Sequence, residues 1–288
     1  CDPLIAIQMA TINTACHFGM ERELGSITPG RRADFIVTSS INDLPIDVVF
    51  ARGERVAENG KLLTKCPHYE WPQTVRKTVN LGKKLELKDF VISVPTGLSS
   101  VKAKVIGVIE NQAPTKALEF DLPVEQGKVQ VEGDVCYLSL VERHRGTGAV
   151  VNGFVSGFGY TGSMAIASSV AHDSHHMIVA GTNQEMMASA ANRLGEVGGG
   201  VSLWKDGAEV ALVELPIAGL MSDSKASEVA VKAQAIVSAM IDCGCTLNNA
   251  YMQHTLLALV VIPELRISDL GLVDVNRFEL TEILEPNS

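Results

Sequence analysis

Residues 153–200 read GFVSGFGYTGSMAIASSVAHDSHHMIVAGTNQEMMASAANRLGEVGGG, and the fold is decided here. Two apolar, strand-like runs, 165–170 and 177–180, flank Ala171-His172-Asp173-Ser174-His175-His176. A glycine-rich approach, 153–162, leads in. Thr182-Asn183-Gln184-Glu185 reads as a capping box, with Thr182 as N-cap and Glu185 in the reciprocal position. Met186, Met187, Ala190, Ala191 and Leu194 then recur at helical spacing, and the glycines up to Gly200 end the helix. Strand, polar corner, strand and helix follow one another, and the ionisable chemistry collects at the corner.

Three of the seven histidines crowd this corner beside an aspartate. On a strand, His172, Ser174 and His176 share one face while Asp173 and His175 share the other. On a helical turn, His172, His175 and His176 converge. The flanks favour two strands joined or bent at the cluster, which gathers side chains from both faces. Imidazoles and carboxylates are preferred ligands of divalent transition metals, and His carries protons near neutral pH. His172, Asp173, His175 and His176 are therefore candidates for facing a substrate, and His172, Asp173 and His175 for holding an auxiliary metal. Structural hydrogen bonding is the alternative. Upstream, Glu142-Arg143-His144-Arg145-Gly146-Thr147-Gly148 ends a strand at 135–141. A polar cluster at a strand end is either a site or a solvated loop, so Glu142, Arg143 and His144 are secondary candidates.

Working outward, Asp2-Pro3 fits an N-cap with Pro at the first helical position, and the spacing predicts a helix over 3–18 with one apolar face. Residues 24–37 read as a turn, a Pro-Gly punctuation and a short strand, further strands are expected at 48–51 and 55–57, and Glu58-Asn59-Gly60-Lys61 is a tight turn, so 24–65 form a small antiparallel β unit. Residues 66–90, with Cys66-Pro67 and Trp71-Pro72, read as a linker or surface crossing. Strands resume at 101–109, 129–131 and 135–141. A hairpin over 201–215 closes at Asp206-Gly207. Ser224 is expected to cap a long helix whose apolar face includes Val229, Ile236, Val237, Met240 and Ile241, ended by Gly244. Residues 256–263 and 268–275 form an apolar segment and a turn.

The chain has 288 residues, 46% of them hydrophobic and 20% charged. That suits about two globular domains. The net charge of −9 argues against nucleic-acid binding. The apolar run at 256–263 is too short to span a bilayer, and no signal peptide is recognisable, so the expected location is cytoplasmic. Six scattered cysteines without a Cys-x-x-Cys read as reduced thiols. Cys243-Gly244-Cys245 is too close-spaced for a metal clamp. The opening Cys1-Asp2-Pro3, with no Met, reads as an internal start, and the chain is expected to be a fragment.

The stretch DPLIAIQMATINTACHFGMERELGSITPGRRADFIV, with VVFARGERVAENGKLL after it, resembles the end of an amidohydrolase. The motif rests on Gly25, Ile27, Pro29, Gly30, Ala33 and Asp34. The segments ERHRGTG, GFVSGFGYTGSMAIASSVAHDSHHMIVAGTN, NRLGEVGGG, LPIAGLMSD and LALVVIPELRISDLGLVDVNRFE together resemble the C-terminal domain of bacterial adenine deaminases. His172, Asp173 and His175 match that pattern; His176 departs from an expected asparagine.

The resemblance implies an α+β chain in three parts. Residues 1–20 are the last helix of a truncated (β/α)8 amidohydrolase barrel, 21–75 a small β-sandwich segment, and 76–288 a mixed α/β C-terminal domain. It implies metal-dependent hydrolysis of adenine to hypoxanthine and ammonia, as in purine salvage. The divalent metal, manganese or iron, is bound mainly by an upstream barrel whose ligands have no counterpart here, so this portion alone is expected to be inactive. The partners implied are adenine, the barrel portion and a second copy of the chain in a homo-oligomer. The alternatives are a non-catalytic metal-binding or assembly module, or another amidohydrolase such as a cyclic amidase, which leaves 142–275 unexplained. The Pro-Cys-x-x-Cys that accompanies His-x-Glu in the zinc nucleobase deaminases is missing from the sequence.

Overall fold

The computed structural model describes residues 1–65, 67 and 69–285. Cys66, which opens the Cys66-Pro67 seam, lies outside them. Cys1, Cys16, Cys136, Cys243 and Cys245 are free thiols. The chain divides into two compact units, Cys1–Glu70 and Trp71–Ser288. No helix among the described residues is long and apolar enough to cross a membrane.

In the first unit the Asp2 carboxylate accepts the Leu4 N–H and Pro3 enters the first turn, as the cap pattern predicts. Helices α1 (Pro3–Gln8) and α2 (Thr14–His17) are joined by a π-helical turn (Met9–Asn13). Strands β1 (Phe35–Val37), β2 (Val48–Ala51), β3 (Glu54–Glu58) and β4 (Lys61–Leu62) form one antiparallel sheet in that order. Arg52-Gly53 and Asn59-Gly60 both adopt positive φ, which gives two-residue hairpin turns. The Asp34 carboxylate accepts the Arg52 N–H, so this motif residue is architectural.

The second unit is built on a nine-stranded sheet. Its strands are β5 (Ser100–Val108), β6 (Thr115–Glu125), β7 (Lys128–Val129), β8 (Cys136–Val141), β9 (Val150–Ser156), β10 (Met164–Ser168), β11 (Met177–Gly181), β12 (Gly200–Lys205) and β13 (Ala208–Glu214). The spatial order is β13-β12-β10-β11-β8-β9-β5-β6-β7. Pairing is antiparallel except between β5 and β9, which run parallel. Helices α3 (Gln184–Val197), α4 (Ala226–Asp242) and α5 (Ala250–Leu256) follow, with a small sheet of β14 (Leu265–Ser268), β15 (Gly271–Asp274) and β16 (Glu279–Thr281).

Both faces of the large sheet are covered, which explains why β8, β10 and β11 read as continuous apolar runs. Leu138, Leu140, Ile166 and Ile178 point to one core with Ile236 and Met240 of α4 and Leu265 and Ile267 of β14. Tyr137, Val141, Ala165 and Val179 point to the other, under Met187, Ala190, Ala191 and Leu194 of α3. The alanines on β10 let α3 lie close to the strand.

Several expectations shift. The stretch 66–90 is not simply a surface crossing: Leu81, Leu85 and Phe90 are core residues, and Asn192 of α3 makes a two-way amide pairing with the Leu85 backbone. The N-cap of α3 is Asn183, whose side chain accepts the Met186 N–H, because the Thr182 hydroxyl is occupied by Gly162 and Met164. Ser224 does not cap α4; its N–H bonds to the Ser222 hydroxyl and Lys225 takes the position without a side-chain bond. Of the apolar α4 face, Ile236 and Met240 are buried while Val237 and Ile241 remain exposed.

One core residue carries a pH consequence. His254 on α5 is fully buried with both ring nitrogens unpartnered, and burial pushes its pKa down from 6.5 to about 4. The unfolded chain takes up a proton near pH 6.5 that the folded protein refuses until about pH 4. Stability is therefore complete above pH 6.5 and falls between those values, by on the order of 3 kcal/mol in total. Urea melts at pH 7 and pH 4.5 are expected to show this loss, and His254→Leu is expected to flatten it. An unchanged pH slope in the variant would refute the assignment.

Candidate functional site

The glycine-rich approach resolves into β9 and a following turn. The N–H groups of Gly157 and Gly159 donate to the two carboxylate oxygens of Asp134, each at 2.6 Å. The concave backbone that glycines provide is thus filled by a side chain of the same chain.

The histidine corner is the loop joining β10 to β11, so the expected strand–corner–strand arrangement holds. Its residues differ in burial. His172 and Asp173 lie on a turn, with Asp173 and Ser174 exposed and the His172 N–H donating to the Thr255 carbonyl. His175 takes a left-handed φ of 51°, and its N–H returns to the Ala171 carbonyl at 2.7 Å. His176 turns inward and is buried. The His172 and His175 rings meet edge to face, with centroids 5.6 Å apart.

The strand-end cluster 142–148 packs against this corner, so the two polar clusters form one locality. Arg143, only 1% exposed, donates its Nε to the His175 carbonyl and an Nη2 proton to the Ala218 carbonyl. Its Nη1 and the His175 Nδ1 are buried without partners. His144 Nε2 lies 2.9 Å from the Ser174 carbonyl oxygen. A carbonyl only accepts, so Nε2 carries the proton and Nδ1 of the neutral ring holds a lone pair. The His144 and His176 rings are 4.7 Å apart between centroids.

Glu142 is committed to its own loop. Its carboxylate accepts the N–H groups of His144, Arg145 and Thr147 and the Thr147 hydroxyl. Burial pushes its pKa up, but the bonds from Thr147, Arg145 and His144 outweigh that and hold it down at about 2. It is an anion at any physiological pH, unsuited to proton transfer. His175 and His176 shift down, in each case chiefly through burial. For His175 the neighbouring Arg143 guanidinium adds to the effect and Asp173 opposes it; for His176 Asp269 opposes it.

Beside His144 and His176 lies a cleft of about 360 Å³, lined also by Glu142, Arg145, Val151 and Asp269. Asp269, in the turn between β14 and β15, places Oδ2 at 3.6 Å from His176 Nε2. Arg145 belongs to the polar cluster that the sequence marks at 142–148, whereas Asp269 lies in a distant turn with no local signal. Among the described residues no three His, Cys, Asp or Glu side chains are placed to hold a metal ion. The set His172, Asp173 and His175 is not such a group: the two rings meet edge to face, while Asp173 is exposed on the turn.

Two family models match the chain. Residues 1–56 match the amidohydrolase family, the class to which the Gly25–Asp34 motif pointed. Residues 112–279 match the adenine deaminase C-terminal domain, and the chain belongs to that family. It is 69% identical over 289 residues to an adenine deaminase of Ruegeria pomeroyi, covering 99% of this chain and 48% of the relative. An adenine deaminase of Roseobacter denitrificans is 68% identical over 285 residues, again 99% and 48%. One from Moorella thermoacetica is 42% identical over 285 residues, 98% and 48%. The chain spans about half the length of these curated relatives.

Proposed function

We propose that this chain is the C-terminal part of an adenine deaminase, a hydrolase converting adenine and water to hypoxanthine and ammonia. The observation that carries this is similarity along 99% of the chain to proteins named adenine deaminase. In the proposed organisation the first helical stretch is the last helix of a barrel, 21–75 the sandwich segment and 76–288 the C-terminal domain of a cytoplasmic homo-oligomer. Amidohydrolase membership suggests a divalent metal, manganese or iron, which would supply an acidified water for attack on the amino-bearing ring carbon. The described residues do not fit such an ion, so it is assigned to the further polypeptide that the relatives contain.

Within this chain, His172, Asp173, His175 and His176 are proposed to face the substrate, with Glu142, Arg143 and His144 as the frame that positions them. The support is their convergence at one sheet corner and the partnerless Nδ1 of His175 and His176. The test is His172→Ala and His175→Ala in the longer protein. Each is expected to lower kcat/KM for adenine at least about tenfold while folding is retained. Unchanged turnover in both would reject the role.

A further inference from the structure

The cleft between the strand-end cluster and the β14–β15 turn carries chemistry that its own protein neighbours leave unused. The Asp269 carboxylate is 45% exposed and lies beyond hydrogen-bond distance from His176, at 3.6 Å. His144 spends its Nε2 proton on Ser174, which leaves the Nδ1 lone pair free. His176 is 7% exposed and lines the cleft, but its partnerless Nδ1 is buried away from the opening, so the acceptors a ligand meets are those of Asp269 and His144. Glu142 contributes charge, but its oxygens are already occupied by the loop. The free groups are therefore mostly hydrogen-bond acceptors, with Arg145 as a cationic donor at the rim and Val151 in the apolar wall.

A free anion is disfavoured beside two carboxylates, and a metal lacks three converging ligands. What fits is a flat ligand that presents N–H donors to the acceptors, offers a ring nitrogen to a guanidinium and lays an apolar face on the wall. The volume, about 360 Å³, lies within the range of small-molecule sites.

We propose that this cleft binds a planar, amino-substituted nitrogen heterocycle, whose amino group donates to Asp269 and to Nδ1 of His144. The choice of this ligand class rests on the adenine deaminase assignment; the supply of acceptors does not. Asp269 is then a specificity residue, separating a ring that carries an amino group from one that carries a carbonyl.

The test is calorimetric titration of the full 288-residue chain with adenine, hypoxanthine and unsubstituted purine. Adenine is expected to saturate the protein and to bind at least about tenfold more tightly than hypoxanthine or purine, the worth of a charge-assisted hydrogen bond. Asp269→Asn, at an exposed turn where folding is checked by circular dichroism, is expected to weaken adenine about tenfold and to narrow the gap to hypoxanthine. His144→Ala is expected to weaken adenine as well. Absence of saturable adenine binding at millimolar concentration, equal affinity for all three ligands, or an Asp269→Asn affinity equal to the parent's would each overturn the proposal. Hydrolysis of adenine by the longer protein is read separately, so loss of the cleft leaves the deaminase assignment standing.

Discussion

Gly200→Ala is expected to prevent the second unit from folding. Gly200 begins β12 with a φ of +140°, a conformation that L side chains rarely adopt. An added Cβ lands inside the van der Waals envelope of the Val213 carbonyl oxygen, with Glu214 Cα 3.2 Å away. Neither backbone is free to yield, because β12 and β13 are paired from Gly200↔Glu214 onward and Ser169 hydrogen-bonds to both the N–H and the carbonyl of Gly200. A strained φ and a backbone collision together cost more than about 4 kcal/mol, a large part of a typical domain's stability. Gly207→Ala is the control. It shares the positive φ, at +84°, but an added Cβ there meets nothing within 4 Å, so about 1 kcal/mol is expected. Soluble expression and thermal melting compare the two. A Gly200→Ala protein melting within a few degrees of the parent would refute the packing described at this corner.

Arg143→Ala is the second large effect. The guanidinium joins the histidine loop, through the His175 carbonyl, to the 217–221 loop, through the Ala218 carbonyl. Gly219 lies against it: an added Cβ would be 2.7 Å from Nη1. Removing the side chain relieves a buried charge that lacks a carboxylate partner, which favours the variant. It also leaves two carbonyls without donors and opens a void, at about 1–3 kcal/mol for each unsatisfied group. The losses outweigh the gain, and a net destabilisation of about 3 kcal/mol is expected from urea denaturation. The His175 ring resonances are expected to move with it, since the left-handed backbone at His175 is held from the carbonyl side by Arg143. A stability change under about 1 kcal/mol with unmoved His175 resonances would show that the clamp is not what holds the loop.

Much of this architecture is legible in short-range signals. Arg52-Gly53, Asn59-Gly60 and Asp206-Gly207 set their hairpins through positive φ, which is a property of the residues themselves. The α3 stripe of Met186, Met187, Ala190, Ala191 and Leu194 is buried as its period requires. Strand β6 is not recognisable from its sequence because it is long and poorly buried on both faces, carries Lys116, Glu119 and Asp121, and contains Pro123. Such charges and proline suit a strand near a sheet edge and hide it from a hydrophobic pattern. The cap of α3 misled by one position because Thr182 and Asn183 are both competent, and only the tertiary bond of Thr182 to Gly162 decides between them.

The candidate site was legible as a density of histidines but not as a geometry. Sequence adjacency of His172, Asp173 and His175 suggests a ligand set, whereas in the folded loop the His172 and His175 rings meet edge to face and Asp173 stays exposed on the turn. Contact between the 142–148 cluster and the histidine loop depends on β8 and β11 being neighbours in the sheet. Asp269 arrives from a separate three-stranded sheet packed on the core, with no marker in the flanking Ser268 and Leu270.

Hypoxanthine formation from adenine tests the assignment most directly, measured with bound metal for two proteins. One is the 288-residue chain, and the other is a longer form carrying the additional half found in the relatives. Turnover with tightly bound divalent metal is expected in the longer form, and neither is expected in the 288-residue chain. Adenine hydrolysis by the 288-residue chain itself, with stoichiometric metal, would contradict the placement of the water-activating centre outside these residues.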